Sequence, residues 1–375
     1  MVAEMRAAWC DIDLDALDRN VEAVSAMAGV PILPMVKANA YGHGLGPVVM
    51  RLVRHPAVWG MGVALATEAD DLRRAGYEGR ILVLGGLLPD EAEDAVETGS
   101  TIALSTLEVA AALGRAAERA GTRCRVHLKI DIGMNRLGFP HQQAEQAAES
   151  VREINGLILE GVMTHLAAAH EGDRPSITRT VDELERFIAL VEHLRSSHGP
   201  LLAHAANSSA LMTLERSRLD LARPGLALFG WKPSPWLPDE PELSPVAAIR
   251  ARVAVVKTTG EDARVGYSQT PIAAGRRLGI LPVGYGDGLP QAWGLVPGYV
   301  LFPSGRAPII GSVCMDSCVV DLTDLPEEGE GSTALLLGKG PEGTIAVDEL
   351  AEATNRSSYE VLSGMTERLP RRYAG

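Results

Sequence analysis

A lysine ends the apolar stretch Ile32, Leu33, Met35, Val36, at the head of PMVKANAYGHG (residues 34–44). Asn39, Tyr41, Gly42, His43 and Gly44 follow it at once. A desolvated amine near other cations has a lowered pKa and becomes a nucleophile and a base, able to form a Schiff base with an aldehyde cofactor. Glycines at 42 and 44 allow the backbone to approach a ligand closely, and the Tyr41 hydroxyl suits an anion. The ordinary alternative for Lys37 is a surface lysine whose stem covers a strand end.

A second group of residues has the chemistry of a phosphate site. Ser208 and Ser209 in HAANSSA and Gly225 and Leu226 in RPGLALFG offer hydroxyls and closely spaced backbone N–H groups. Ser208 reads equally as the cap of the helix that follows, and Gly225 as relief beside Pro224. Between these motifs stand Lys129, Arg136, His165, Asn207 and Arg223. The set is rich in bases and cations and poor in carboxylates. It contains no HExxH and no acidic cage, so a metal centre and a hydrolase triad are both poorly supported.

These residues fall at the ends of a repeating series of elements. Eight apolar runs (PILPMVKA, WGMGVA, RILVLGG, TIALS, RVHLKIDI, LILEGVMTHL, LLAHAAN and LARPGLALFG) alternate with helical patterns such as TEADDLRRAG, TLEVAAALGRAAERAG and TVDELERFIALVEHLRSSHG. Eight strands over this length predict a closed parallel β/α barrel, with a doubly wound sheet as competitor. In a barrel the C-terminal strand ends gather the chemistry, and Lys37, Lys129, His165, Asn207 and Arg223 sit at such ends. Past the proline cluster at 233, 235, 238, 241 and 245 the texture becomes short β-rich runs, with one late helix over AVDELAEATNRSSYEVLSGM. The expected architecture is an α/β chain: a barrel over 1–235, then a smaller mainly-β domain over 236–375 that the first residues of the chain are free to join.

The bulk composition excludes several classes. A net charge of −13 argues against nucleic acid or an anionic membrane as partner. No run approaches the ~20 apolar residues of a membrane span, and the N-terminus lacks an apolar signal core, so a cytoplasmic location is expected. The four cysteines (10, 124, 314, 318) have no framework spacing and read as reduced thiols.

The motifs VKANAYGHG, HLKIDIGMNRLG, MTHLAAA, HAANSSA, RPGLALFG, VGYSQT, PVGYGDG and GSVCMD, in this order, resemble those of alanine racemases, fold-type III pyridoxal phosphate enzymes. The resemblance runs from about residue 9 to the C-terminus. It implies that Lys37 forms the Schiff base with the cofactor and is one catalytic base, and that Tyr267 is the other. It implies cofactor contacts from Tyr41, His165, Asn207, Ser208, Arg223, Gly225 and Leu226, with Arg223 opposite the pyridine nitrogen and His165 hydrogen-bonded to Tyr267 or Arg223. Arg136, Tyr285, Met315 and Asp316 are implied at the substrate and its entrance. Tyr267 is implied to reach the site from a partner chain, making a homodimer with shared sites.

Two bases on opposite faces of a carbon racemise it without turning the substrate. An arginine that only donates weakens the electron sink of the pyridine ring and favours reprotonation over transamination. Arg136 also reads as a plain ion-pair partner of Asp131, and Tyr285 as a turn residue between glycines. The implied reaction is interconversion of L- and D-alanine, supplying D-alanine for peptidoglycan. A racemase of serine or of a broader set, a decarboxylase on the same scaffold, and a non-catalytic pyridoxal phosphate carrier are the alternatives. The resemblance further implies a carbamylated Lys129 orienting Arg136. It leaves one departure, since Glu367 in TERLPRRY stands where a phosphate-site tyrosine is expected, so that either Tyr41 and backbone groups suffice or Tyr373 contributes from elsewhere.

Overall fold

The structure is a computed structural model that describes residues 6–375. Strand β1 (Ala8–Asp13) leads into the helix Leu14–Ala28, which Asp13 caps by accepting from the Ala16 N–H (2.8 Å) and which stops at left-handed Gly29. Six strands then form a parallel sheet in chain order: β2 (Met61–Val63), β3 (Ile81–Val83), β4 (Thr101–Leu104), β5 (Cys124–Asp131), β6 (Leu157–Met163) and β7 (Leu202–His204). Every residue of β2, β3 and β4 is buried, as a parallel sheet covered on both faces requires.

The first and eighth expected strands take part as bridges rather than as continuous ladders. Ile32 pairs with both Val58 and Ala222, and Met35 pairs with Gly62. The Leu33 and Met35 N–H groups donate to the Ala222 and Pro224 carbonyls at 2.7 and 2.8 Å. Pro31, Pro34 and Pro224 have no N–H to give, which breaks the ladder while leaving the ring closed. The result is an eight-position β/α barrel with its strand ends in the order that the sequence implied.

Residues 231–246 contain no helix or strand. Beyond them β8 (Ala247–Arg252), β9 (Val255–Thr258), β10 (Arg277–Leu281), β11 (Tyr299–Phe302), β12 (Gly305–Pro308), β13 (Cys318–Asp321), β14 (Thr333–Gly340) and β15 (Arg371–Ala374) build a mainly-β domain. Its larger sheet runs β12-β11-β14-β8-β1-β15, so the chain's first strand lies between β8 and its last strand, and β9-β10-β13 form a second sheet. The expected single late helix is two helices, Val347–Ala353 and Ser358–Ser363. Asn355 has φ +54°, which ends the first, and the Ser357 side chain caps the second. That break turns Tyr359 toward the barrel mouth.

Candidate active site

Lys37 opens one turn of left-handed helix. Ala38, Asn39, Ala40 and Tyr41 have φ of 51°, 54°, 54° and 52°. Each such non-glycine residue costs ~1–2 kcal/mol, so the turn carries ~4–8 kcal/mol that its surroundings must offset. The holding groups are identifiable. Glu68 accepts from the N–H groups of Ala38 (2.6 Å), Ala64 (2.7 Å) and Leu65 (3.1 Å), tying the turn to the end of β2 and to the helix Ala66–Arg74. The Asn39 carboxamide oxygen accepts from Leu45 N–H at 2.7 Å. From β15, Arg371 donates to the Gly42 carbonyl at 2.7 and 3.1 Å and the Tyr373 hydroxyl donates to that of His43 at 3.2 Å. Gly42 is required here: its φ is +80°, and a Cβ would lie 2.2 Å from the Leu362 carbonyl oxygen.

The turn forms one wall of a cavity of about 360 Å³ at the barrel mouth. Lys37, Lys129, Arg136 and Arg223 line it, and no carboxylate does so among the described residues. Burial, then Arg136, lowers the Lys37 pKa. Lys129 falls to about 8 through burial, reinforced by Arg136, Arg223 and Lys37. Its Nζ donates to the Leu84 carbonyl at 3.1 Å. His165 is pushed down to about 3 by burial and then by the same four cations, so it is neutral. A cavity with four cationic groups and no internal anion favours anionic ligands.

Its floor is a cradle built from two strand ends. Asn207, not Ser208, caps the helix Ser208–Thr213, accepting from Ala210 N–H (2.9 Å) while donating to the Leu166 carbonyl (3.0 Å). The Ser208 hydroxyl is thereby left to accept from Gly225 N–H at 2.9 Å and Ala227 N–H at 3.4 Å. A Cβ on Gly225 would come within 2.5 Å of the Tyr41 hydroxyl, so only glycine leaves that space open. The Tyr41 hydroxyl has no hydrogen-bond partner among the described residues, and burial raises its pKa, so it remains a donor. Leu226 starts a short 3₁₀ segment whose first N–H groups lack partners within it.

Arg223 is held inside the barrel. Its Nη1 donates to His204 Nδ1 (2.9 Å), and Nη2 to the carbonyls of Thr164 (2.7 Å) and Ala205 (3.1 Å). The imidazole that Arg223 meets is His204 and not His165, so of the two partners expected for His165 only Tyr267 is left. Burial lowers Arg223 to about 9, which leaves it cationic at neutral pH. The Asp131 carboxylate forms no ion pair with the Arg136 guanidinium. It accepts backbone N–H bonds from Gly133, Asn135 and Arg136 (2.9–3.1 Å), shaping the loop that carries Arg136 to the cavity.

Tyr267, Tyr285, Met315 and Asp316 do not line this chain's cavity. They form a separate exposed group on the mainly-β domain, with Tyr267 87% exposed. Tyr285 and Gly286 N–H groups donate to the Cys314 and Met315 carbonyls (3.0 and 2.9 Å), and Ser268 Oγ accepts from Ser312 N–H (3.1 Å). Arg368 joins Asp316 (2.5 Å) to buried Asp287 (3.2 Å). Glu367 is exposed and away from the cavity. The tyrosine missed in the sequence is Tyr359, which lines the cavity with its ring 6.0 Å from that of Tyr41. Tyr373 is spent on His43. Glu68 was missed as well, because an acid in an amphipathic helix carries no signal of its own.

Two family models match the chain, alanine racemase N-terminal domain over residues 12–233 and alanine racemase C-terminal domain over 246–373. An alanine racemase from Symbiobacterium thermophilum is 36% identical over 374 residues, 99% of this chain and 98% of its own. The alanine racemase structure from a D-cycloserine-producing Streptomyces lavendulae superposes with a TM-score of 0.90 at 31% identity, covering 99% and 97%. That from Clostridium difficile 630 gives 0.91 at 26% identity, covering 99% and 96%.

Proposed function

This chain belongs to the alanine racemase family, and we propose that it interconverts L- and D-alanine with pyridoxal phosphate. The observation that carries the reading is Lys37 on a strained turn, in a cation-lined cavity, facing the Ser208–Gly225–Tyr41 cradle. The donor set fits the cofactor. Tyr41, Tyr359, Ser208 and the backbone of Gly225 and Leu226 would hold its phosphate, with Asn207 fixing the helix start beside them. Arg223 would face the ring nitrogen, with neutral His165 beside the ring. When bound, the cofactor supplies an aldehyde that takes up the substrate amine and a ring that makes the α-hydrogen acidic.

The remaining work belongs to the chain. Lys37, its pKa lowered by burial and Arg136, moves a proton on one face of the α-carbon. Tyr267 moves a proton on the other. Its exposure, and its absence from its own chain's cavity, support delivery from a second copy, with Tyr285, Met315 and Asp316 lining that copy's entrance to the site. Arg136 receives the substrate carboxylate. Lys129 at about 8 has an appreciable neutral fraction at neutral pH, the form that reacts with carbon dioxide. A carbamate there would put an anion beside Arg136 and relieve the crowding of cations. The working protein is accordingly a cytoplasmic homodimer that supplies D-alanine for peptidoglycan.

The test is to incubate cofactor-loaded protein with L-alanine and separate the enantiomers on a chiral column. D-alanine formation that is lost in Lys37→Ala supports the reading. A bound yellow cofactor with no D-alanine formed refutes it.

A further inference from the structure

The barrel interior behind Arg223 contains two buried histidines and a carboxylate that the proposed reaction does not use. His204 Nε2 lies 2.7 Å from His127 Nδ1, and His127 Nε2 lies 3.3 Å from Glu160 Oε2. With the 2.9 Å contact from Arg223 to His204 Nδ1, four side chains form one unbroken line. Both imidazoles are fully buried. Glu160 lies toward the opposite end of the barrel, where Arg80 (2.9 Å) and Arg125 (3.2 Å) approach its other oxygen.

The backbone is shaped to make this line. Val126 and His127 pair with Leu159 and Gly161, so Glu160 is the extra residue of a β-bulge in β6. A Cβ on Gly161 would lie 3.0 Å from the His127 ring, so the glycine gives that ring its space.

The two ends dictate the direction of every hydrogen bond. Arginine only donates, so His204 Nδ1 must accept. Burial lowers the pKa of both histidines, which keeps them neutral. A neutral His204 then carries its hydrogen on Nε2 and donates to His127 Nδ1. His127 carries its hydrogen on Nε2 and donates to Glu160, which accepts as a carboxylate: burial acts to raise its pKa, but His127 and Arg80 outweigh this and bring it to about 2.

We propose that Glu160, His127 and His204 are positioning residues for Arg223, joined to it in a one-way chain of hydrogen bonds that draws its positive charge away from the cavity. Each acceptor strengthens the next donor, so a carboxylate at the far end makes His204 a better acceptor for Arg223. Arg223 Nε–H has no acceptor among the described residues and is available to the cavity. The chain weakens donation from that side. Under the proposed function, on which this consequence rests, a weaker donor opposite the ring nitrogen limits transamination. In that side reaction alanine gives its amino group to the cofactor and leaves as pyruvate, one pyruvate per aminated cofactor.

Two measurements test the chain. In ¹⁵N-histidine-labelled holoenzyme, the two imidazoles coupled across the His127–His204 bond should both be neutral and protonated on Nε2. A charged ring or an Nδ1–H tautomer at either position overturns the proposal without reference to activity. Glu160→Gln keeps the shape and replaces the anionic acceptor by a weaker neutral one. It should raise pyruvate formed per D-alanine formed roughly tenfold, about 1.4 kcal/mol of altered partition. Arg125→Gln, which removes a charge beside Glu160 but leaves the chain intact, should hold that ratio at the wild-type value. An unchanged ratio in a folded Glu160→Gln protein, or an equal rise in Arg125→Gln, overturns the proposal. If wild-type protein forms no D-alanine, the proposed function fails and the tautomers alone decide the chain.

Discussion

Replacing Glu68 by alanine should release the left-handed turn that presents Lys37. The carboxylate accepts three backbone N–H bonds, to Ala38, Ala64 and Leu65, at 2.6–3.1 Å. A hydrogen bond to a charged group contributes ~1.5–3 kcal/mol, and three that share one carboxylate are not additive, so ~3–4 kcal/mol is a reasonable total. The turn stores ~4–8 kcal/mol of strain, and no other single side chain binds both it and β2. Losing Glu68 therefore removes a large part of what offsets that strain, at a site on the surface of an otherwise intact barrel. The loss should appear as weaker cofactor binding before it appears as global unfolding. Roughly 2 kcal/mol of it reaching the cofactor site raises Kd for pyridoxal phosphate about 30-fold. Absorbance titration of cofactor-free protein gives that Kd, and far-UV circular dichroism shows whether the barrel survives. Glu68→Gln retains one acceptor oxygen and should fall between alanine and wild type. A Glu68→Ala protein with wild-type cofactor affinity would refute the idea that strain is held locally.

Gly225→Ala should weaken pyridoxal phosphate binding at least tenfold, measured by the same titration, because the new Cβ meets the Tyr41 hydroxyl at 2.5 Å. An equal mixture of Lys37→Ala and Tyr267→Ala chains, allowed to exchange subunits, should recover about a quarter of wild-type racemisation: half the dimers are mixed, and each has one complete site. Sites built within one chain would give none. Glu160 has a folded pKa of about 2 against an ordinary 4.5, so it contributes stability above 4.5 that is lost as pH falls through 2. Denaturant titrations should therefore show a shallower loss of stability between pH 4.5 and 2 in Glu160→Gln than in wild type.

What could be read in advance follows a physical pattern. The barrel strands were visible because burial on both faces demands continuous apolar runs, and a lysine ending such a run stands out. Lys37, Lys129, His165, Asn207 and Arg223 reach one cavity because they lie at the ends of neighbouring strand positions, and Arg136 and Ser208 join them from the loop and helix that follow. Tyr359 was hidden by the break at Asn355, which a helix-period pattern running through 346–365 conceals. Asn207 took the cap expected of Ser208 because the helix starts one residue earlier than the serine reading requires. The Glu160–His127–His204 line depends on a bulge that no periodicity reports. Tyr267 is a different case, since a single chain leaves it at the surface.

The central claim is that protons move at both faces of the α-carbon, one at Lys37 and one at Tyr267. Racemisation of L-alanine in D2O, sampled at early times and analysed by chiral separation with mass detection, tests it most directly. The account predicts D-alanine carrying one deuterium at Cα, delivered from the face opposite to the one deprotonated. D-alanine that retains the substrate's own α-hydrogen would mean a single base serving both faces, and would contradict it.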